Sequence, residues 1–298
     1  MIRRLTALLP GQDTVPVGIG DDTAVVSTGD GPFDWLLTTD PVIEGVHFLP
    51  GTEPTLAGAK AVNRVLSDVA AMGGEPQWLL IDLVAPPDTA VARLEQLYRG
   101  AQRAASSAGA VIIGGDLARG PVLELHVFGV GRVPKGRALL RSGAHPGEAI
   151  YVTGLLGGSA HGHHLTFTPR LREGTWLREG AWATALCDVS DGLLTDLGQI
   201  LEASSLGARL SAASIPVSDA ASRMKDGRPA LAHALGDGED FELLFTVPEA
   251  RCAAFEQAWH QTFPLPCTRI GTTLFGRGIS WDGPPPPLES TGYEHFRT

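Results

Sequence analysis

The sequence has few cysteines and no long apolar run, and each absence excludes a class of protein. The three cysteines, Cys187, Cys252 and Cys267, show no C-x-x-C spacing, so we expect no disulfide framework, and a reducing cytoplasm fits this composition. No segment approaches the ~18 consecutive apolar residues of a membrane helix. The basic start at Arg3 and Arg4 is followed by neither a long apolar stretch nor a small-residue cleavage site, so we expect no signal peptide.

The common nucleotide-binding motifs are also missing. No lysine is followed by serine or threonine, which excludes the G-x-x-x-x-G-K-[ST] loop of P-loop enzymes. The H-R-D and D-F-G motifs of protein kinases are absent, and no G-x-G-x-x-G follows a predicted strand and opens a helix. A nucleotide, if one binds, must be held by another set of residues.

Lysine is scarce, and the net charge is negative. The 298 residues carry a formal net charge of −10 and only three lysines, which argues against nucleic acid or an anionic membrane as a partner. If such an acidic protein binds a polyphosphate, metal ions must neutralise the repulsion. Apolar residues make up 43% of the chain, enough for a full core, and the length suits one large domain or two of ordinary size.

The apolar patterning mixes helices and strands without a simple βαβ repeat, so the predicted fold class is α+β. A shift to Pro, Gly, Arg and Ser between residues 134 and 147 suggests two domains, 1–136 and 137–298. The predicted strands are 15–19, 33–39, 78–84, 111–113, 122–133, 150–153, 207–211 and 241–247. The predicted helices are 1–9, 54–72, 88–108 (capped by Asp88), 178–187, 193–201 and 249–262.

Several aspartates stand beside glycines or at predicted element ends. Singly, each has an ordinary structural interpretation as a turn residue, a cap or a solvated helix position. Together they suggest carboxylates that converge on a cleft and hold divalent cations, because hard oxygen ligands suit Mg²⁺ and close carboxylates otherwise repel. These acids are Asp21 and Asp22, Asp40 after Thr38-Thr39, Asp68 within a helix, Asp116 after Gly114-Gly115, and Asp188 and Asp191 before a helix.

Three other features leave two interpretations open. Arg141 could clamp a phosphate bidentately or lie on the surface. The histidines at 161, 163 and 164 could bind a metal, although a polar helix face accounts for them without one. Cys187 could be a nucleophile, but no base is apparent nearby and a buried structural cysteine explains it better.

Taken in order, these segments resemble the thiamine-monophosphate kinase family, which belongs to the superfamily of aminoimidazole ribonucleotide synthetase. The matching motifs span nearly the whole chain. They are Gly-Ile-Gly-Asp-Asp at 18–22, Thr-Thr-Asp and Glu-Gly-Val-His-Phe within 38–48, Ser-Asp-Val-Ala-Ala-Met-Gly at 67–73, Gly-Gly-Asp at 114–116, Arg-Ser-Gly-Ala at 141–144, Asp-Val-Ser-Asp-Gly-Leu at 188–193 and Gly-Glu-Asp-Phe-Glu-Leu-Leu-Phe at 238–245. Phe241 stands where tyrosine is common in the family, and residues 161–178 do not follow its pattern.

The resemblance implies an N-terminal α+β domain that dimerises through its sheet, a C-terminal α/β sandwich, and ATP in the cleft between them. It implies several Mg²⁺ ions held by Asp22, Thr38, Thr39, Asp40, Asp68, Asp116, Asp188 and Asp191. It implies ATP contacts from Gly115, Asp116, Arg141 and Ser190, and thiamine phosphate contacts from His47, Glu239 and Tyr293. Catalytic roles would fall to Asp40, Asp116 and Asp191.

The function that the resemblance implies is in-line phosphoryl transfer from ATP to thiamine monophosphate in a cytoplasmic homodimer, without a nucleic acid or membrane partner. Two alternatives stay open. One is another ATP-dependent enzyme of the superfamily, such as a cyclo-ligase or a maturation factor that dehydrates a carbamoyl group. The other is a non-catalytic nucleotide-binding protein. Selenophosphate synthesis is disfavoured because no cysteine lies in the N-terminal region.

Overall fold

A computed structural model describes residues 13–286 as an α+β chain that divides into two compact units. The first unit extends to Ala138 and also includes Leu171–Thr175, and the second comprises Leu139–Arg170 and the chain from Trp176 onward. The predicted helix at 1–9 and the predicted substrate residue Tyr293 lie outside the described residues.

The first unit is a five-stranded sheet with two helices. The strand order is β1-β2-β5-β3-β4, in which only β3 and β4 pair in parallel. The elements are β1 (Ala24–Ser27), β2 (Phe33–Ile43), α1 (Pro54–Ala71), β3 (Glu75–Ala85), α2 (Val91–Ser107), β4 (Val111–Arg119) and β5 (Glu124–Pro134).

Strict alternation along β3 divides the two faces of this sheet. Leu79, Ile81 and Leu83 are almost fully buried, whereas Trp78 and Leu80 on the other face are 41% and 36% exposed. Side chains of a strand point alternately to opposite faces, so one face packs in the core and the other is open. The open face nevertheless carries large apolar side chains, which is unusual for a sheet face that meets water.

Helix α1 has clear start and stop signals. Pro54 occupies its first turn, where the missing N–H costs nothing. At the other end Gly73, with φ 63°, donates to the Ala70 carbonyl, and Gly74 donates to the Val69 carbonyl, each at 2.9 Å. This pair of bonds is a Schellman motif, which satisfies carbonyls that the helix leaves open. The predicted helix at 54–72 is confirmed.

The second unit is a six-stranded sheet of order β11-β8-β10-β6-β9-β7 surrounded by short helices. Its strands are β6 (Ala149–Thr153), β7 (Ala185–Asp188), β8 (Gly207–Leu210), β9 (Leu243–Val247), β10 (Cys267–Leu274) and β11 (Gly278–Trp281). Its helices are α3 (His163–Thr166), α4 (Leu171–Glu179, whose first five residues belong to the first unit), α5 (Leu193–Ser204), α6 (Asp219–Arg223), α7 (Ala230–Gly236) and α8 (Cys252–Thr262).

Three local predictions were wrong. Residues 178–187 are not a helix, because α4 ends at Glu179 and Ala185–Asp188 form the fully buried edge strand β7. Residues 15–19 form only isolated bridges, one of them between Val17 and Val25. Helix α2 begins at Val91 rather than at Asp88. Its N-cap residue is Ala90, whose methyl group cannot accept a capping hydrogen bond.

Two predicted strand ends lie inside longer strands. Thr38–Asp40 stand in the middle of β2, which continues through Pro41 to Ile43. A proline is tolerated there because β1 pairs only as far as Leu37, so that side of β2 is then an edge. Gly114-Gly115-Asp116 likewise lie within β4. A Cβ on Gly115 would stand 1.9 Å from the Ile81 carbonyl oxygen, so glycine is required by the pairing with β3.

None of the helices between residues 13 and 286 combines the length and the apolar character that crossing a membrane requires.

The crossing of α1 and α2 depends on two glycines, which makes it testable. A Cβ on Gly58 would lie 1.9 Å from the Leu97 carbonyl oxygen, and a Cβ on Gly100 would lie 1.9 Å from that of Thr55. We expect Gly58→Ala and Gly100→Ala each to lower the free energy of unfolding by about 1–3 kcal/mol, because the backbones must separate. Urea denaturation measures this.

The matched control is Gly198→Ala. Gly198 lies inside α5, and a Cβ added there would have no neighbouring atom within 4 Å. This variant should gain about 0.5–1 kcal/mol from the better helix propensity of alanine. Equal effects at all three positions would contradict the close helix crossing.

Candidate active site

Polar side chains on β2 and α1 meet across the buried side of the first sheet. Thr38 Oγ1 donates to Asp68 Oδ2 at 2.5 Å. Arg64 Nε and Nη2 each lie 3.2 Å from an oxygen of Asp40, a bidentate ion pair. Lys60 Nζ donates to the main-chain carbonyl of His47, also at 2.5 Å. Two of these contacts join β2 to α1, and the third joins α1 to the turn that follows β2.

The spacing of these contacts follows from the geometry of the two elements. Positions four apart on a helix rise by about 6 Å and share a face. Positions two apart on a strand rise by about 6.6 Å and also share a face. Asp68, Arg64 and Lys60 are therefore in step with Thr38, Asp40 and the following turn. We call this set of three contacts the polar ladder.

Two members of the polar ladder were missed by the sequence interpretation. Arg64 and Lys60 look like solvent-facing positions, because Lys and Arg are rarely buried. Lys60 is nevertheless fully buried, and the Arg64 side chain is only 12% exposed. The signal was present in their spacing of four and eight residues from Asp68, which places all three on one helix face.

The neighbouring predicted metal ligands have different positions. Thr39 lies between Thr38 and Asp40 and is exposed, so its side chain belongs to the other face of the strand. Asp22 stands two residues before β1 and is partly buried. If the register that pairs Ala24 with Leu37 is continued by two residues, Asp22 lies opposite Thr39. Asp22 is thus at the end of β1 nearest to the polar ladder.

Gly115 and Asp116 lie far in space from the polar ladder of the same chain. Asp40 pairs with Val127, Val127 with Ile81, and Ile81 with Gly115. Three strand spacings of about 4.8 Å put Gly115 roughly 14 Å from Asp40 across the sheet. Asp116 pairs with Asp82 and shares its exposed face, whereas Asp40 faces Arg64 on the helix side.

In the second unit, hydrogen bonds connect Arg141 to the segment before α5. Arg141 Nη1 donates to Gln199 Oε1, and Gln199 Nε2 donates to Asp196 Oδ1 at 3.3 Å. The other oxygen of Asp196 accepts from the Asp191 main-chain N–H at 3.0 Å. Gln199 and Asp196 were not predicted, and they bring the predicted Arg141 and Asp191 into one network.

The segments 188–192 and 236–242 pack backbone to backbone. The Glu239 N–H donates to the Ser190 carbonyl, and the Phe241 N–H to that of Val189, each at 2.8 Å. A Cβ on Gly238 would be 2.6 Å from the Ser190 carbonyl oxygen, so no larger residue fits there. Ser190 and Glu239, predicted for ATP and for thiamine phosphate respectively, are therefore neighbours. Asp188, two residues before Ser190, is 2% exposed.

Strain accompanies this packing. Glu239 and Phe241 have φ of 66° and 50°, a region that non-glycine residues seldom occupy. Such conformations persist only when the surroundings hold them, and they cluster at binding sites. The strain singles out Glu239 within an acidic segment.

The other acids of residues 236–242 hold a glycine-rich turn. The Gly157 N–H donates to both oxygens of Asp240, at 3.0 and 2.9 Å, and Ser159 Oγ donates to the same carboxylate. The Gly158 N–H donates to Asp237 at 3.0 Å. Asp240 and Asp237 thus have a structural role in positioning residues 154–159.

The segment 161–178, which does not follow the family's pattern, contacts residues 240–242. His163 Nε2 lies 3.1 Å from the Asp240 carbonyl oxygen, so its ring donates there. The ring of Phe167 stacks on Phe241 with centroids 3.9 Å apart. Arg170 Nε donates to Glu242 at 2.8 Å. These contacts favour the structural interpretation of the histidines over a metal site.

Burial raises the pKa of Asp240 to about 7, despite the hydrogen bonds from Ser159 and Gly157 that favour the carboxylate. The negative charges of Glu242 and Asp237 add to the rise. A folded protein with such a group holds a proton that the unfolded chain releases, so the group stabilises the fold in acid and this contribution is lost as the pH rises through about 7.

The donor set of the polar ladder suits a hard cation that arrives with phosphate. Among the described residues, no three His, Cys, Asp or Glu side chains lie close enough to hold a metal together. Mg²⁺ does not need such a cage, because it binds through one or two carboxylates, water and substrate phosphates. Asp68 and Asp40 on one face of the sheet, with the Thr38 hydroxyl, fit this mode.

The raised pKa of Asp240 predicts a pH dependence of stability. Between about pH 4.5 and 7, the free energy of unfolding of the wild type should fall relative to that of Asp240→Asn, by up to about 1.4 kcal/mol per pH unit. Chemical denaturation across this range measures the difference. The control Asp282→Asn, at an exposed position, should run parallel to the wild type. A constant gap between wild type and Asp240→Asn would refute the assignment.

Comparison with known proteins gives a consistent result. Residues 20–133 match the family model described as AIR synthase related protein, N-terminal domain. Hydrogenase maturation protein HypE of E. coli has a similar fold, with a TM-score of 0.72 at 20% identity over 88% of this chain and 87% of that one.

Thiamine-monophosphate kinases are similar over almost the whole length. The protein of that name from Escherichia coli K12 is 39% identical, covering 95% of this chain and 93% of the relative, and that from Aquifex aeolicus is 33% identical, covering 93% and 92%. The structure of AaThiL complexed with AMPPCP and TMP has a TM-score of 0.84 at 31% identity, covering 99% of this chain and 94% of that one. The chain belongs to the thiamine-monophosphate kinase family.

Proposed function

We propose that this chain transfers the γ-phosphoryl group of ATP directly to the phosphate of thiamine monophosphate. The bond between the γ-phosphorus and its bridging oxygen breaks, an acceptor phosphate oxygen forms the new bond, and the products are thiamine diphosphate and ADP. The observation that carries the proposal is the likeness to AaThiL, whose complex contains AMPPCP and TMP, over 99% of this chain. The acceptor phosphate is ionised near neutral pH, so the protein need not supply a strong base.

In the first unit, the polar ladder would position cations and phosphate. Asp40, Asp68 and Thr38 are the residues that would hold Mg²⁺, and Asp22 lies near the end of β1, whereas Thr39 faces the other side of β2. When bound, Mg²⁺ would neutralise the negative charge of the phosphates, which this chain of net charge −10 does not offset by itself. Arg64 fixes the Asp40 carboxylate in one orientation through its bidentate pair.

In the second unit, Arg141 and the segment 188–192 would contact the nucleotide, and Glu239 would contact thiamine phosphate. The hydrogen bonds through Gln199 and Asp196 hold Arg141 and Asp191 in place. Catalysis of phosphoryl transfer rests largely on positioning and charge neutralisation. Residues held this firmly are suited to that task.

The decisive test of this function is Asp40→Asn. With saturating ATP, thiamine monophosphate and Mg²⁺, we expect kcat to fall by about 10²- to 10³-fold, because the variant loses a carboxylate that would hold Mg²⁺ and so loses electrostatic stabilisation of the transition state. Thiamine diphosphate formation, followed by chromatography, is the measurement.

The matched control is Asp219→Asn, which breaks an exposed aspartate–arginine pair with Arg223 and should leave kcat unchanged. Circular dichroism checks that both variants fold. Turnover near that of the wild type in Asp40→Asn would refute the role of this carboxylate, and a wild type without diphosphate product would refute the function itself.

We propose further that the protein is a homodimer formed through the open face of the first sheet. Trp78, Leu80, Val111 and Ile113 are between 36% and 58% exposed on β3 and β4. The rings of Trp35 and Trp78 stack at 5.3 Å and extend the apolar surface to β2. Contiguous apolar surface of this kind on a soluble protein marks an interface, and a nine-residue exposed edge strand invites pairing with another chain.

This dimer would explain the position of Asp116. It lies on the open face, roughly 14 Å from Asp40 by three strand spacings and on the opposite side of the sheet. We therefore propose that Gly115 and Asp116 act in the site of the partner subunit rather than with Asp40 of their own chain.

Subunit mixing tests this arrangement. Asp40→Asn and Asp116→Asn homodimers should each be nearly inactive, because every site lacks one carboxylate. After the two are unfolded and refolded together, half the dimers are mixed and each has one intact site, so roughly a quarter of the wild-type activity should return. Each variant refolded alone is the control. Mixtures no more active than the separate variants would contradict a shared site.

A further inference from the structure

One buried hydroxyl in the first unit has no role in the account given so far. Thr23 is 2% exposed, and its Oγ1 has no hydrogen-bond partner among residues 13–286. A buried hydroxyl without a partner is costly, and native structures avoid it unless water, an ion or a ligand satisfies the group. Threonine and valine have nearly the same shape, so packing alone would be served by valine.

The position of Thr23 points to the polar ladder. It directly precedes β1, in which Ala24 pairs with Leu37, so the next pair along the register is Thr23 and Thr38. Val25 and Leu36, two pairs along the register from Thr23 and Thr38, are both buried on the helix side. Because alternate residues of a strand share a face, Thr23 and Thr38 are on that side too.

The hydroxyls of the two threonines differ in their hydrogen-bond partners. The Thr38 hydroxyl donates to Asp68 at 2.5 Å, whereas the Thr23 hydroxyl, on the neighbouring strand, has no protein partner within the described chain. Asp22, a predicted metal ligand, is the preceding residue. By register the Thr23 hydroxyl lies next to Thr38 and its partner Asp68, which are groups suited to a hydrated cation.

We propose that the Thr23 hydroxyl is part of the cation site, where it hydrogen-bonds a water molecule bound to Mg²⁺. This inference rests on the proposed function. Mg²⁺ releases its waters reluctantly and keeps several of them in protein sites. Groups that orient such outer contacts commonly contribute 10- to 100-fold in metal affinity. Thr23 is a positioning residue in this scheme, since it acts through the water.

The test compares Thr23→Val, Thr23→Ala and Thr23→Ser with the wild type. Binding of Mg²⁺ with AMPPCP is measured by calorimetry and by the rise in Tm, alongside the Mg²⁺ dependence of turnover. Thr23→Val should raise the Mg²⁺ concentration for half-saturation about tenfold, Thr23→Ala should do the same, and Thr23→Ser should stay close to the wild type. In the metal-free protein, the Tm of Thr23→Val should equal or exceed that of the wild type, because no protein hydrogen bond is lost.

The matched control is Thr246→Val in the second unit. Thr246 is also fully buried, but its hydroxyl lies 2.6 Å from that of Thr184 and accepts from the Ala185 N–H at 3.2 Å. This variant should lower the metal-free Tm without changing Mg²⁺ half-saturation.

The outcomes separate the inference from the proposed function. Unchanged Mg²⁺ half-saturation in Thr23→Val and Thr23→Ala, with a wild type that binds and turns over, would overturn the role of Thr23 alone. Equal weakening in Thr23→Ser would do so as well, since the methyl group rather than the hydroxyl would then matter. A wild type that shows neither Mg²⁺-dependent binding nor turnover would remove both proposals.

Discussion

The match between helix α1 and strand β2 is the constraint on which the first unit depends. Four residues of helix rise almost as far as two residues of strand, so Asp68 and Arg64 face Thr38 and Asp40 in register. The side chains of the polar ladder are paired with one another or with a main-chain carbonyl, which keeps the cost of burying them low. The same pairing fixes the orientation of two carboxylates before any ligand arrives.

Arginine rather than lysine is suited to the contact with Asp40. A guanidinium presents two parallel N–H groups to a carboxylate and so fixes both oxygens at once. Lys60, one turn earlier in α1, meets a carbonyl oxygen, for which a single ammonium is enough. Both cations of the polar ladder are thus placed where they order the groups around them.

The second unit uses acids in two different ways. Asp237, Asp240 and Glu242 accept hydrogen bonds from main-chain N–H groups, hydroxyls and Arg170. These bonds shape the turn at 154–159. Glu239 stands in the same segment in a strained backbone conformation. A motif dense in carboxylates is therefore mostly structural framework, and Glu239, which we propose contacts thiamine phosphate, is the acid in this segment with a strained backbone.

Much of the architecture could be predicted from local pattern. Pro54 and Gly73-Gly74 delimit α1, and alternation identifies β3 and β5, because caps and periodicity act over a few residues. The acids beside glycines identified the candidate site, although their partners Arg64, Lys60, Gln199 and Asp196 did not stand out. Charged and amide residues at helical spacing look the same whether a face meets solvent or a polar partner.

What the sequence by itself determined is the α+β class, most of the elements and the family, because these depend on short-range signals and on motifs in a fixed order. Only the tertiary structure decided that Ala185–Asp188 form a strand, since a short apolar run fits helix or strand until a sheet edge pairs with it. Only strand order put Asp116 three strands from Asp40. That order is set by long-range pairing and core burial, which no local stretch of sequence contains.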